Sequence, residues 1–80
     1  MTDKEKYYFE KIEAQFPHKN KLNQGEMLQF INKSRATFLR IIESNNLHLI
    51  PKFTKTEHKR KGKPYFTYQF DVVDVVNFLI

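Results

Sequence analysis

The chain has no cysteine, which excludes disulfide staples, thiolate metal sites and a cysteine nucleophile. Its three histidines, His18, His48 and His58, are scattered and lack the close pairing that metal sites use. No apolar run approaches the ~20 residues a membrane-spanning helix needs. The opening stretch MTDKEKYYFE has none of the apolar core of a signal peptide, so a cytoplasmic protein without a membrane partner is expected. There is no glycine-rich phosphate loop, no G-x-S-x-G turn and no pair of carboxylates beside a histidine. Asp71 and Asp74 read better as a helix cap and its first-turn dipole partner. No catalytic residue, no metal and no cofactor is expected, and an enzyme is not the reading. Negative charge is also short, nine Asp and Glu against fourteen Lys and Arg, net +5. That imbalance points to an anionic partner such as nucleic acid, with solubility as the plain alternative.

What is present fits one small folded domain. Eighty residues only just supply a core, but 40% hydrophobic content with eight Phe and four Tyr argues for folding rather than disorder. Thr2 and Glu5 form a capping-box pattern ahead of Tyr8, Ile12 and Phe16, four apart, and Pro17 closes that segment; a helix of about four turns is expected. Asn23 and Glu26 repeat the cap, with Leu22 and Met27 placed as a hydrophobic staple, before Met27, Leu28, Phe30 and Ile31 give a short helix its apolar face. Asn32 suits a left-handed turn, and Ser34 caps a further helix running to about Ser44.

The period then changes. LHLIPKF and PYFTYQF read as extended, Leu47 and Leu49 alternating in the first and Phe66, Tyr68 and Phe70 in the second, the latter three as core. Tyr65, Thr67 and Gln69 face the other way. TKTEHKRKGK between them reads as a charged hairpin loop, with Pro51 at an edge or bend. Asp71 caps a closing helix with Val72, Val75, Val76 and Leu79 on one face. The expected class is α+β. A helical extension spans 1–20, a helix-turn-helix 22–45, a hairpin 47–70 and a closing helix 71–80.

Two stretches carry chemistry. On a helical wheel from Ser34, Phe38, Ile41, Ile42 and Asn45 share one side, and Ala36, Arg40 and Glu43 lie opposite. Arg35 and Leu39 take one flank, Thr37 and Ser44 the other. A helix entered through a short turn exposes its first turn, which a major groove can accept. Arg40 can then read guanine, small Ala36 permits close approach, and Lys33, Ser34, Arg35 and Thr37 suit phosphates. The plain reading of the same residues is a solvated helix back. In KFTKTEHKRKGK, six cations (Lys52, Lys55, Lys59, Arg60, Lys61, Lys63) oppose Glu57 alone, more than a solvated loop or a protected strand edge requires. Lys55, Lys59, Arg60, Lys61 and Lys63 are the candidate backbone contacts, and Tyr65 beside them can stack on a base.

With these pieces in order, residues 22–79 resemble the excisionase and MerR-type winged-helix DNA-binding family. Leu22, Asn23 and Glu26 match its opening, Met27, Phe30 and Ile31 its apolar helix positions, SRATFLRII its recognition-helix start and FDVVDVVNFL its closing phrase. Asn32 stands where glycine is usual, Leu28 replaces a small residue where the two helices touch, Lys33 replaces an apolar turn residue, and the wing is longer and more basic than usual. The resemblance implies a winged helix-turn-helix that binds duplex DNA in sequence-specific fashion, directing a recombinase or regulating promoters in phages and mobile elements. MerR-type proteins carry an effector domain after the DNA-binding one; these eighty residues hold none, and ligand sensing is not expected.

Two other readings stand beside it. A single-strand-binding replication accessory protein would lean on Tyr65 and the wing. A protein-interaction module, such as an inhibitor, would use the stripe Tyr8, Ile12, Phe16 as its contact, and the same N-terminal helix is the candidate surface for a homodimer that reinforces DNA binding. Tyr7 and Tyr8 read as helix packing or a dimer contact, and Leu39 belongs either under the wing or at a partner surface.

Overall fold

Helices begin where the capping residues put them. In the computed structural model, which describes residues 2–80, Thr2 Oγ1 accepts from the Glu5 N–H at 3.2 Å and Glu5 Oε1 accepts from the Thr2 N–H at 3.3 Å. This pair opens α1 (Asp3–Gln15), which stops just before Pro17, a residue without the N–H that another turn requires. A three-residue strand, β1 (Lys21–Asn23), leads straight into α2 (Gln24–Ile31), capped reciprocally by Asn23 and Glu26 at 2.8 and 3.0 Å. Leu22 and Met27, the expected staple, are both fully buried.

After α2 the chain turns through Asn32 in the left-handed conformation, φ 59, and Ser34 caps α3 (Arg35–Ser44). The α3 end repeats the device. Asn45 adopts φ 58, and the N–H groups of Lys33 and Asn46 reach back to Leu28 and Ile41 carbonyls at 2.9 and 3.2 Å. Asparagine tolerates this backbone and the turn satisfies the last helical carbonyls. Asn45 is therefore an exposed helix terminus, not a member of the buried side where the wheel placed it.

The remaining elements are β2 (Thr54–Arg60), β3 (Lys63–Asp71) and α4 (Val72–Leu79). The sheet is antiparallel with order β1-β3-β2. Its core-facing row is Leu22 beside Phe70, both fully buried, and Phe38 of α3 sets its ring edge-on to Phe70 at 6.3 Å and to Tyr68 at 5.3 Å. Ile12 from α1, Met27 and Leu28 from α2, and Val75 and Val76 from α4 complete one core. Its class is α+β: the described residues form four α-helices and a three-stranded antiparallel sheet. Among the described residues no helix is long and apolar enough to cross a membrane.

Four expectations are corrected. Residues 47–53 are not a strand: Leu47–Leu49 form a 3-10 turn, closed by the Leu49 and Ile50 N–H groups on the Asn46 and Leu47 carbonyls at 3.0 and 3.3 Å. Leu47 and Leu49 alternate in sequence yet both lie exposed, while Ile50 and Pro51 are the buried pair. Residues 54–60 are strand rather than loop, paired from Thr54↔Gln69 to Arg60↔Lys63. Only Lys61 and Gly62 turn, both with positive φ (52 and 77), as a two-residue hairpin whose twist matches its strands demands. Phe66 lies outside the core, 45% exposed, with Lys55 Nζ 4.0 Å above its ring. Asp71 stands at the N-cap of α4 but makes no side-chain cap bond; the Val72 N–H goes instead to the Asn20 carbonyl at 3.0 Å.

The hairpin explains the shape. A radius of gyration of 13.7 Å exceeds the about 12 Å of a compact chain of this length, and the long axis is 46 Å against 27 and 19 Å for the others. From Tyr68 outward, β2 and β3 project beyond anything the helices cover, so Phe66 has no core to enter.

Candidate nucleic-acid interface

Helix α3 is held by its underside. Phe38 and Ile41 are buried, Ile42 half-buried, and the opposite side carries exposed Arg35, Ala36, Arg40 and Glu43. Leu39 is 44% exposed, lying open rather than under the hairpin. At the helix entrance the two hydroxyls of the turn are engaged with each other. Ser34 Oγ accepts from the Thr37 N–H at 3.2 Å and lies 2.9 Å from Thr37 Oγ1. Among the described residues the N–H groups of Arg35 and Ala36 have no partner, so the positive end of α3 opens toward solvent beside half-buried Lys33. Arg35, Ala36 and Arg40 are thus presented as expected, while Ser34 and Thr37 serve first to build the cap.

The hairpin register divides the other expected contacts between two faces. Side chains alternate along a strand, and Phe38 packs on the face that carries Tyr68 and Phe70. Lys55, Glu57 and Lys59, opposite Tyr68, Phe66 and Pro64, share that α3 side. Arg60 with Lys63, His58 with Tyr65, and Thr56 with Thr67 form the outer face. Lys61 is the tip. Tyr65 is not alone: its ring stacks on His58, centroids 5.0 Å apart and planes within 15°, and His58 Nε2 lies 2.9 Å from Thr67 Oγ1. His58 is the residue that sequence reading left out. The signal was there in the symmetry of the turn, since a two-residue Lys61-Gly62 loop sets 58 against 65.

Where the cations gather, Glu57 stands between Lys55 and Lys59 but forms no close ion pair with either among the described residues. Among the described residues the close contacts between basic and acidic side chains are Lys19 with Glu26 and His18 with Glu13, the latter ionic only with His18 protonated; neither touches α3 or the hairpin. Lys19 Nζ reaches both Glu26 oxygens at 2.6 and 2.7 Å. That hydrogen bond first, and the Asn23 N–H second, hold the Glu26 carboxyl below its ordinary value of 4.5, because both favour the charged form. The pair ties the link before β1 to the first turn of α2.

The stripe on α1 does not present itself as a contact. Ile12 is buried and Tyr8 and Phe16 pack half-buried against the chain's own core. Tyr7 is the exposed ring there, edge-on to Tyr8 at 5.3 Å with Lys11 Nζ 5.2 Å from its centre. Comparisons with protein-family models, with curated proteins and with solved structures give no match.

Proposed function

We propose that the chain is a small winged helix-turn-helix DNA-binding protein of phage or mobile-element type, an excisionase-like architectural factor or a transcription regulator. In this reading α3, ten residues and therefore about 15 Å long, enters the major groove by its first turn. Arg40 pairs with a guanine edge, Ala36 allows close approach, and Lys33 and Arg35, with the free N–H groups of Arg35 and Ala36, meet phosphates. The hairpin is the wing. Lys55, Lys59 and Lys61 follow the adjoining backbone or minor groove.

One observation carries the proposal. Phe38 seats α3 on the same sheet face that bears Lys55 and Lys59, so one polyanion can reach both, and among the described residues neither lysine is held in a close ion pair. A solvated helix back has no need of that alignment. Two copies, side by side or dimeric, would raise the affinity of so small an interface, and a recombinase is the protein partner an excisionase-like role calls for.

The test starts with selection of a preferred duplex from a random pool. On that duplex Arg40→Ala is expected to cost about 1–3 kcal/mol of binding while binding to random duplex changes little. Equal losses on both duplexes would remove Arg40 from any base-reading role.

A further inference from the structure

The outer face of the hairpin holds a second arrangement, which the major-groove reading does not use. The His58 and Tyr65 rings lie nearly parallel with centroids 5.0 Å apart, close to the ~4.8 Å separation of neighbouring strands. The row of stacked rings therefore runs across the sheet, from β2 to β3. Among the described residues no strand continues it beyond β3 on that side. β1 pairs only with Gln69, Phe70 and Asp71, so from Lys63 to Tyr68 the far side of β3 has no neighbouring strand. Tyr65 ends the row with its outward side open, and it is 46% exposed. The hydrogen-bonding contact between His58 and Thr67 fixes the inner ring, so the platform is set before any ligand arrives.

Its surroundings select the ligand. Arg60 and Lys63 form the next pair toward the tip on the same face, about 7 Å from the rings, two residues along the strand. Lys61 lies just past them, and the other members of this face on β2 and β3 are Thr54, Thr56, Thr67, Gln69 and Asp71; the Asp71 carboxylate stands at the far end of β3, about 20 Å from Tyr65. A flat ring is wanted at Tyr65, with negative charge a few ångströms toward the tip. Resting on the DNA-binding reading above, we propose that the outer face of the wing binds an unpaired DNA strand, one base extending the His58–Tyr65 stack and its flanking phosphates meeting Arg60 and Lys63. In duplex DNA the bases are occupied by their own stack and cannot join it. The chain then carries two DNA surfaces back to back, α3 with Lys55 and Lys59 for duplex, and the outer wing for a strand that has left its complement.

The experiment measures fluorescence-anisotropy affinity of the full chain for a labelled twelve-nucleotide oligo-dT and for a labelled duplex, at one salt concentration. Tyr65→Leu keeps a bulky apolar side chain and is checked for an unchanged unfolding temperature; Tyr65→Phe keeps the ring. Tyr65→Leu is expected to weaken oligo-dT binding by about 5- to 160-fold and to leave duplex binding unchanged, while Tyr65→Phe leaves both unchanged. Removing Arg60 and Lys63 charge together (Arg60→Gln, Lys63→Gln) should flatten the salt slope on oligo-dT by about 1.4. Addition of oligo-dT should also move the Tyr65 ring-proton resonances upfield. Equal losses on both polymers for Tyr65→Leu, or self-association of the chain that depends on Tyr65, would overturn the site. Duplex binding without any oligo-dT binding overturns it while leaving the major-groove reading intact, and binding to neither polymer removes the DNA reading altogether.

Discussion

Neutralising Lys59 and Lys61 together offers the sharpest check on the proposed duplex docking. The proposed docking places five cations against phosphates, Lys33, Arg35, Lys55, Lys59 and Lys61, with Arg40 kept for a base edge. Each neutralised phosphate contributes about −0.9 to the slope of log affinity against log salt, so the expected slope is about −4.5. Between 50 and 200 mM salt that slope predicts an affinity loss of about 500-fold. The double variant Lys59→Gln, Lys61→Asn retains three contacts, a slope of about −2.7 and a loss of about 40-fold over the same range. The choice of Asn at 61 matters. Lys61 sits at φ 52, followed by Gly62 at φ 77, and Asn-Gly is the preferred pair for such a turn. The variant therefore keeps or strengthens the hairpin, and weakened binding cannot be assigned to a lost wing. Neither lysine has an ion pair among the described residues, so the unfolding temperature should not fall. The assay is an anisotropy titration of labelled duplex at four salt concentrations with both proteins. Parallel lines for the two proteins would refute the placement of the hairpin tip on the backbone. A slope near zero for the unmodified chain would refute electrostatic docking as a whole.

Two smaller predictions concern the frame that carries the site. Glu26 has a lowered folded-state pKa, so its contribution is present above the ordinary carboxylate value of 4.5 and is lost as pH falls below it. Glu26→Gln should cost roughly 1 kcal/mol at neutral pH, once the exposure of Lys19 is allowed for, and that cost should shrink as pH is lowered below 4.5; an undiminished cost in urea unfolding at acid pH would show that the charge is not the cause. Gly62 stands at φ +77 with nothing within 4 Å of an added Cβ, so Gly62→Ala isolates the conformational term. It should cost about 1–2 kcal/mol, read as a fall in unfolding temperature, and no change would place the turn outside the cooperative unit.

How much of this was readable in advance depended on whether a signal was local. Both capping boxes, Asn32 in its left-handed turn and the limits of α3 follow from residues within a few positions of one another, and the structure repeats them. Arg35, Ala36 and Arg40 on the open side of α3 are a consequence of helical period alone. β1 escaped notice because three residues with one buried side chain carry no period; Lys21–Asn23 is a strand only because β3 lies beside it. β2 was hidden by its charge. A strand that projects beyond the core is exposed on both faces, so nothing selects apolar residues at alternate positions, and Thr54, Thr56 and the register imposed by the Lys61-Gly62 turn were the only cues. Leu47 and Leu49 failed in the opposite sense. Their alternation imitates a strand, but the left-handed end of α3 at Asn45 and the buried Pro51 leave room only for a tight turn between them.

The same projection decides where the charge acts. Glu10, Glu13 and Asp71 border one groove between α1 and the root of the sheet, and Asp74 borders another beside α4. Lys63 and Asp71 begin and end β3, a strand of nine residues. At about 3.3 Å per residue its two ends are about 26 Å apart. That is roughly three screening lengths at physiological salt, about 8 Å each. The carboxylates at the root therefore do little to offset Lys59, Arg60, Lys61 and Lys63 at the tip, although the net charge of +5 counts them all together. Within the hairpin only Glu57 offsets Lys55, Lys59, Arg60, Lys61 and Lys63, so a polyanion approaching the chain meets a wing of net positive charge and is repelled weakly by the helical end. In the proposed docking such a field orients the encounter before any base is read. It also gives the length of the hairpin a purpose that its sparse packing does not explain: a shorter wing of equal charge would sit within reach of Asp71 and lose part of its attraction.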